Sequence, residues 1–173
     1  MNRQRTRLTA LCAMLAAASL VILLLACGVP SGWLGMTAAA GLCTGAACCA
    51  GGIPAGLGTW AVSGLLSVLL LPRKEAALLY AVLFGLYPVL KAKIESLRSL
   101  WQEWLWKLAA GNALMAGAFL LVGETLTEGV SLPLPVLWAG ANGVFVCYDY
   151  AFSRVMTLVQ NRLMPLLRKN RIP

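Results

Sequence analysis

From Leu8 to Pro72 the chain contains no Asp, Glu, Lys or Arg. Drawn as one helix, this run would extend about 97 Å at about 1.5 Å per residue, close to three times the roughly 30 Å hydrocarbon thickness of a bilayer. It is too apolar to stay in water and too long to cross a bilayer once, so it must turn back on itself twice. The rest of the chain agrees. Of 173 residues, 60% are hydrophobic and 12% charged, with mean hydropathy +0.80, a balance foreign to a soluble domain of this size. The expected fold is all-α: a polytopic helical membrane bundle forming a single domain over residues 1–173.

Turn chemistry divides the apolar run. Gly28-Val-Pro-Ser-Gly32 and Gly51-Gly52-Ile-Pro54 combine residues that free the backbone with residues that end helices, and Pro72-Arg73-Lys74-Glu75 closes the third segment. Helices are therefore expected at about 8–27, 33–50, 55–71 and 75–91, the fourth kinked at its exit by Pro88. Two more are expected at 104–123 and 132–153, followed by a basic tail over 154–173. Between the fourth and fifth, residues 91–107 bring charge and aromatic rings together: Lys91, Lys93, Arg98 and Lys107, Glu95 and Glu103, and Trp101, Trp104 and Trp106. Leu97, Leu100, Trp101, Trp104 and Leu105 follow helical spacing, so this connector reads as an amphipathic helix lying in the membrane interface, or as a docking surface for a partner.

Counting Lys and Arg on alternating sides orients the bundle. Six spans place Arg3, Arg5 and Arg7, the connector and the tail on one face, leaving only Arg73 and Lys74 of the 14 basic residues on the other. Both termini are then cytoplasmic, in a bacterial inner membrane. The net charge of +8 follows from this topology and from contact with anionic lipid, so it does not point to nucleic acid. A rival reading takes Leu24-Leu25-Ala26-Cys27 as a lipoprotein cleavage box with a lipidated Cys27, but more membrane follows it where a polar tether would be expected.

Small residues mark candidate packing faces: Ala13 and Ala17 on the first helix, and Gly41 and Gly45 in a GxxxG pattern on the second. No catalytic constellation is present. The chain has no His, no phosphate-cradling loop and no CxxC pair among Cys12, Cys27, Cys43, Cys48, Cys49 and Cys147, so neither catalysis, metal binding nor a cofactor is expected. Ionisable and amide groups at membrane depth are the candidates that remain. Asp149 is expected to pair with Lys91, Lys93 or Lys107 as a structural pin, or else to serve transport. Asn112 and Asn142 are placed to hydrogen-bond each other across the fifth and sixth helices, or to contact a ligand.

Two stretches carry a resemblance: Leu70 to Glu95, with Leu-Leu-Pro-Arg-Lys-Glu at its start and Tyr-Pro-Val-Leu-Lys-Ala-Lys-Ile-Glu at its end, and Tyr148-Asp-Tyr-Ala-Phe-Ser-Arg154. They resemble a family of uncharacterised bacterial six-span proteins from Leu70 onward. The whole also resembles a substrate-binding S-component of an energy-coupling-factor transporter. That likeness implies a small-solute transport subunit without ATPase activity, with a transmembrane coupling subunit and two ATPases as partners, and a docking role for the Ala13 and Ala17 face. The other reading is a structural or assembly protein that binds a partner through the connector. A cavity between the fourth to sixth helices with polar groups converging in it would favour the transport subunit.

Overall fold

The computed structural model describes residues 2–96, 100–127 and 132–163, and these form helices joined by short turns, with no strand among them. The elements are α1 (Asn2–Gly28), α2 (Trp33–Leu70), α3 (Lys74–Leu79), a π-helical turn (Tyr80–Phe84), α4 (Tyr87–Ile94), α5 (Leu100–Thr127) and α6 (Leu134–Leu158), which ends in a second π turn, Val159–Leu163. Four helical stretches are long and apolar enough to cross a membrane: Gln4–Gly28, Trp33–Leu70, Lys74–Ile94 and Trp101–Thr127. At 25 residues α6 has the length, but Asn142, Asp149 and Arg154 make it less apolar.

The 38 residues of α2 are two arms. Gly52 has φ 76 and ψ −170, a conformation open to glycine and strained for other residues, and Pro54 cannot donate a backbone hydrogen bond across the break. Thr44 and Ser63 lie on opposite sides of Gly52, and a straight helix would hold them about 28 Å apart at about 1.5 Å per residue. Yet both reach one hydroxyl, that of Tyr80, at 3.2 and 2.7 Å. The chain therefore doubles back at Gly52. The arms touch closely enough that a β-carbon on Gly56 would lie 2.1 Å from Cys48 Sγ.

Against these arms α1 presents Ala16, Ser19, Leu23 and Ala26, all buried at three- and four-residue spacing. Ser19 Oγ donates to the Ala40 carbonyl at 3.0 Å. Ala13 and Ala17, expected to pack, are instead exposed on the far side of α1. The correction has a simple cause: Ala13, Ala16, Ala17 and Ala18 put small residues on several faces of this helix, so smallness alone selects none. Gly41 and Gly45 do pack inward. A β-carbon on Gly45 would meet the Phe152 ring at 2.4 Å, and one on Gly41 the backbone of Phe84.

Lys74–Ile94 forms a rod, the most buried of the four long apolar stretches. The wholly buried Tyr80 ties three segments together, donating to Ser19 Oγ at 3.4 Å in addition to its contacts with Thr44 and Ser63. At the π turn the Gly85 N–H reaches the Tyr80 carbonyl at 2.7 Å, passing over that of Ala81. The carbonyl so released is answered from outside the rod, since Trp60 Nε1 donates to Ala81 O at 2.8 Å. Pro88 heads the last stretch, where its missing N–H leaves the Phe84 carbonyl without its helical donor.

The connector is not a separate surface helix. Lys91 closes α4 and is buried, Leu100 opens α5, and α5 continues unbroken to Thr127. Leu97, Arg98 and Ser99 lie outside the described residues. Trp101, Trp104, Leu105 and Trp106 thus sit exposed on the first two turns of a long helix, while Lys107 turns inward. The inward face of α6 is Trp138, Asn142, Phe145, Asp149, Phe152 and Met156, alternating four- and three-residue steps.

Candidate functional site

Where α4 ends and α5 begins, charged groups meet inside the bundle. Asp149 Oδ1 accepts from the Tyr87 hydroxyl at 2.6 Å and from Lys91 Nζ, and its Oδ2 lies 3.9 Å from Lys107 Nζ. Lys107 also holds Glu103 at 2.6 Å and Glu95 at 2.9 Å, and Glu95 reaches Lys91 at 3.1 Å. Asp149, Lys91 and Lys107 are 5%, 2% and 6% exposed. Their desolvation is offset only because each finds partners of opposite charge. Two ammonium groups face three carboxylates, so the cluster compensates itself to within one charge, with Glu95 and Glu103 closest to the surface. The Phe152 ring lies 5.9 Å from Lys91 Nζ, and that of Trp104 5.8 Å from Lys107 Nζ.

The cluster joins α4, α5 and α6 through side chains from all three. Lys93 has no part in it: its side chain is exposed and, among the described residues, pairs with no carboxylate. Two contacts were readable as four-residue helical pairs, Lys91 with Glu95 and Glu103 with Lys107. Tyr87 as a donor to Asp149 carried no comparable signal beyond its own four-residue step to Lys91.

Further along the rod a cavity of about 280 Å³ opens between the start of α2, the π turn, α5 and α6. Leu79, Leu83, Met115, Phe119, Trp138 and Phe145 are among its walls, and so are Leu134, Ala141 and Val144, which are exposed on α6; the cavity therefore reaches the surface beside that helix. Its floor adjoins the charged cluster, because Phe145 packs edge-on against Tyr87 with ring centroids 4.8 Å apart. The lining is almost wholly apolar. Of its few polar groups, Thr127 bonds the Gly123 carbonyl at 2.8 Å and Trp138 Nε1 donates to Asn112 Oδ1 at 2.9 Å.

Asn112 and Asn142 bridge α5 and α6 beside the cavity and are not part of its wall. Asn112 Nδ2 donates to Asn142 Oδ1 at 2.9 Å and Asn142 Nδ2 to Asn112 Oδ1 at 3.2 Å; their remaining N–H groups go to the Leu108 and Trp138 carbonyls at 3.0 Å each. The two amides satisfy each other, leaving the cavity to choose its contents by shape and apolarity. Compared with protein-family models, curated proteins and solved structures, the chain matches none.

Proposed function

We propose that this chain crosses a bacterial inner membrane six times, with both termini cytoplasmic, and serves as the solute-holding subunit of a transport system that draws its energy from other proteins. The reversal at Gly52 supports the topology, since it gives each arm of α2 its own passage, and α6 supplies the sixth. The basic residues support the orientation, with all but Arg73 and Lys74 falling on one face. The observation that carries the functional reading is the cavity, an apolar space between helices that opens to the surface at one side and in which the expected polar groups do not converge. Its lining favours a largely apolar molecule over a polar vitamin. The exposed Ala13 and Ala17 face of α1 is free for a coupling subunit. Purification of the tagged protein from its own cells in mild detergent tests this reading. Recovery of a membrane coupling subunit with ATPases is expected, and repeated recovery of the folded protein alone would count against it.

A second reading rests on the start of α5, where Trp101, Leu105 and Trp106 are 88%, 68% and 57% exposed. That surface suits a structural or assembly protein which docks a partner there. Replacing these three residues by Ala would then abolish partner recovery while leaving the melting temperature unchanged.

A further inference from the structure

Arg73 Nη1 is buried and has no hydrogen-bond partner among the described residues, alone of all their buried side-chain nitrogens and oxygens. Its guanidinium stacks over Trp33, 5.4 Å from the ring centroid. Neither Glu75 nor Glu124 pairs with it, the neighbouring Lys74 donates to the Val68 carbonyl at 2.7 Å, and Glu128 lies outside the described residues. A buried cationic donor left unanswered is unfavourable, and a guanidinium fork matches carboxylate or phosphate oxygens in pairs. The position of this donor matters. Trp33 packs against the cluster of Leu79, Ala118 and Val122, and the first two of these wall the cavity. The unsatisfied cation therefore sits over the packing cluster that walls the apolar chamber.

We infer that the cavity takes a single-chain acidic amphiphile from the membrane, its hydrocarbon tail lying between α5 and α6 and its anionic head on Arg73. The inference rests on the reading of the cavity as a ligand site and adds the class of ligand. Volume agrees with one chain: an engineered apolar cavity of about 150 Å³ already takes up benzene, and this one is larger. Charge disfavours a cationic amphiphile, and a neutral head could accept from Nη1 only the weaker bond that lacks charge assistance.

The test uses the full chain in nanodiscs of neutral lipid and two probes carrying the same photoreactive diazirine on a twelve-carbon chain, one a carboxylic acid and one the alcohol. Crosslinks are mapped by mass spectrometry and normalised to labelling around Leu120, which is 85% exposed and reports the surrounding lipid. The acid is expected to label the Met115, Phe119 and Phe145 peptides at roughly tenfold lower concentration than the alcohol, the ratio a charge-assisted hydrogen bond supplies. Arg73→Gln should remove the difference and Arg73→Lys should restore part of it, with the melting temperature of each variant showing that it is folded. Equal labelling by acid and alcohol, with Arg73→Gln indifferent, would overturn the head-group assignment and leave the cavity reading standing. Absence of cavity labelling by either probe in folded protein would overturn both.

Discussion

The backbone carbonyl of Phe84 lies over Gly41, so close that a β-carbon on Gly41 would sit 2.3 Å from the oxygen. The contact joins the rod to the first arm of α2 through two local features: Pro88 gives that carbonyl no helical donor, and Gly41 gives it room. The obstacle to a larger residue is backbone, which cannot swing aside. Gly41→Ala is therefore expected to lower the apparent melting stability by about 1–3 kcal/mol, the usual range for overpacking. Gly35→Ala, with nothing within 4 Å, should leave it unchanged. Equal melting curves for the two variants would refute the close approach.

Trp60 donates a hydrogen bond at 2.8 Å to the Ala81 carbonyl, which the π turn releases. Trp60→Phe keeps most of the ring and removes the N–H. A loss of about 1–3 kcal/mol is expected from the buried acceptor left behind. Trp60→Phe in a variant whose rod has been made regularly α-helical should cost little, because the Ala81 carbonyl would then have its own donor. A full loss in both backgrounds would assign the effect to packing.

Asp149 and Lys91 are buried together, so removing Asp149 takes from Lys91 its closest and most buried partner and leaves it only Glu95 at the rim of the cluster. Asp149→Asn is expected to cost about 3–5 kcal/mol, and adding Lys91→Met should cost little more. A carboxylate that acts on solute would behave otherwise, with transport lost at unchanged stability. Melting and transport measured on the same variants distinguish a pin from a transport group.

Orientation is tested by accessibility. In a cysteine-free background, Ser96→Cys should resist a membrane-impermeant maleimide in intact cells and react once the inner face is opened, while Pro72→Cys should react from outside at once. Labelling of Ser96→Cys in intact cells would reverse the proposed topology.

Much of this architecture could be read from residue chemistry. Gly51, Gly52 and Pro54 announce the reversal, and a lone Asp149 among apolar residues announces a buried partner. The faces were harder. In water apolar residues mark the inside, but a lipid-facing Leu120 and a buried Leu79 are alike in hydropathy, so periodicity fades. Here the small polar residues mark the interior instead: Ser19, Thr37, Thr44, Thr59, Ser63 and Ser67 are all buried. That signal would have chosen Ser19 over Ala13 and Ala17 for the inner face of α1. The connector was misread for a related reason, since Trp101, Trp104 and Trp106 suit an interfacial helix and the exposed first turns of a longer one equally well. The cavity had no signature, because its walls are the residues any apolar core would contain.

The π turn between Tyr80 and Gly85 has a consequence for phase. Seven residues apart, Tyr80 and Tyr87 would share one face of an uninterrupted α-helix. The turn takes one residue more to close, which sets everything beyond it back by about 100°. Tyr80 accordingly looks toward α1 and the arms of α2, while Tyr87 and Lys91 look toward Asp149 on α6. Deleting a single residue within the turn would let it close as ordinary α-helix with Tyr87 and Lys91 still facing Asp149, whereas forcing α-helical closure with the residue count kept would wind them away by about 100°. The turn thus absorbs one residue that a regular helix would convert into rotation, and a shortened rod that keeps Tyr87 and Lys91 on Asp149 would show it.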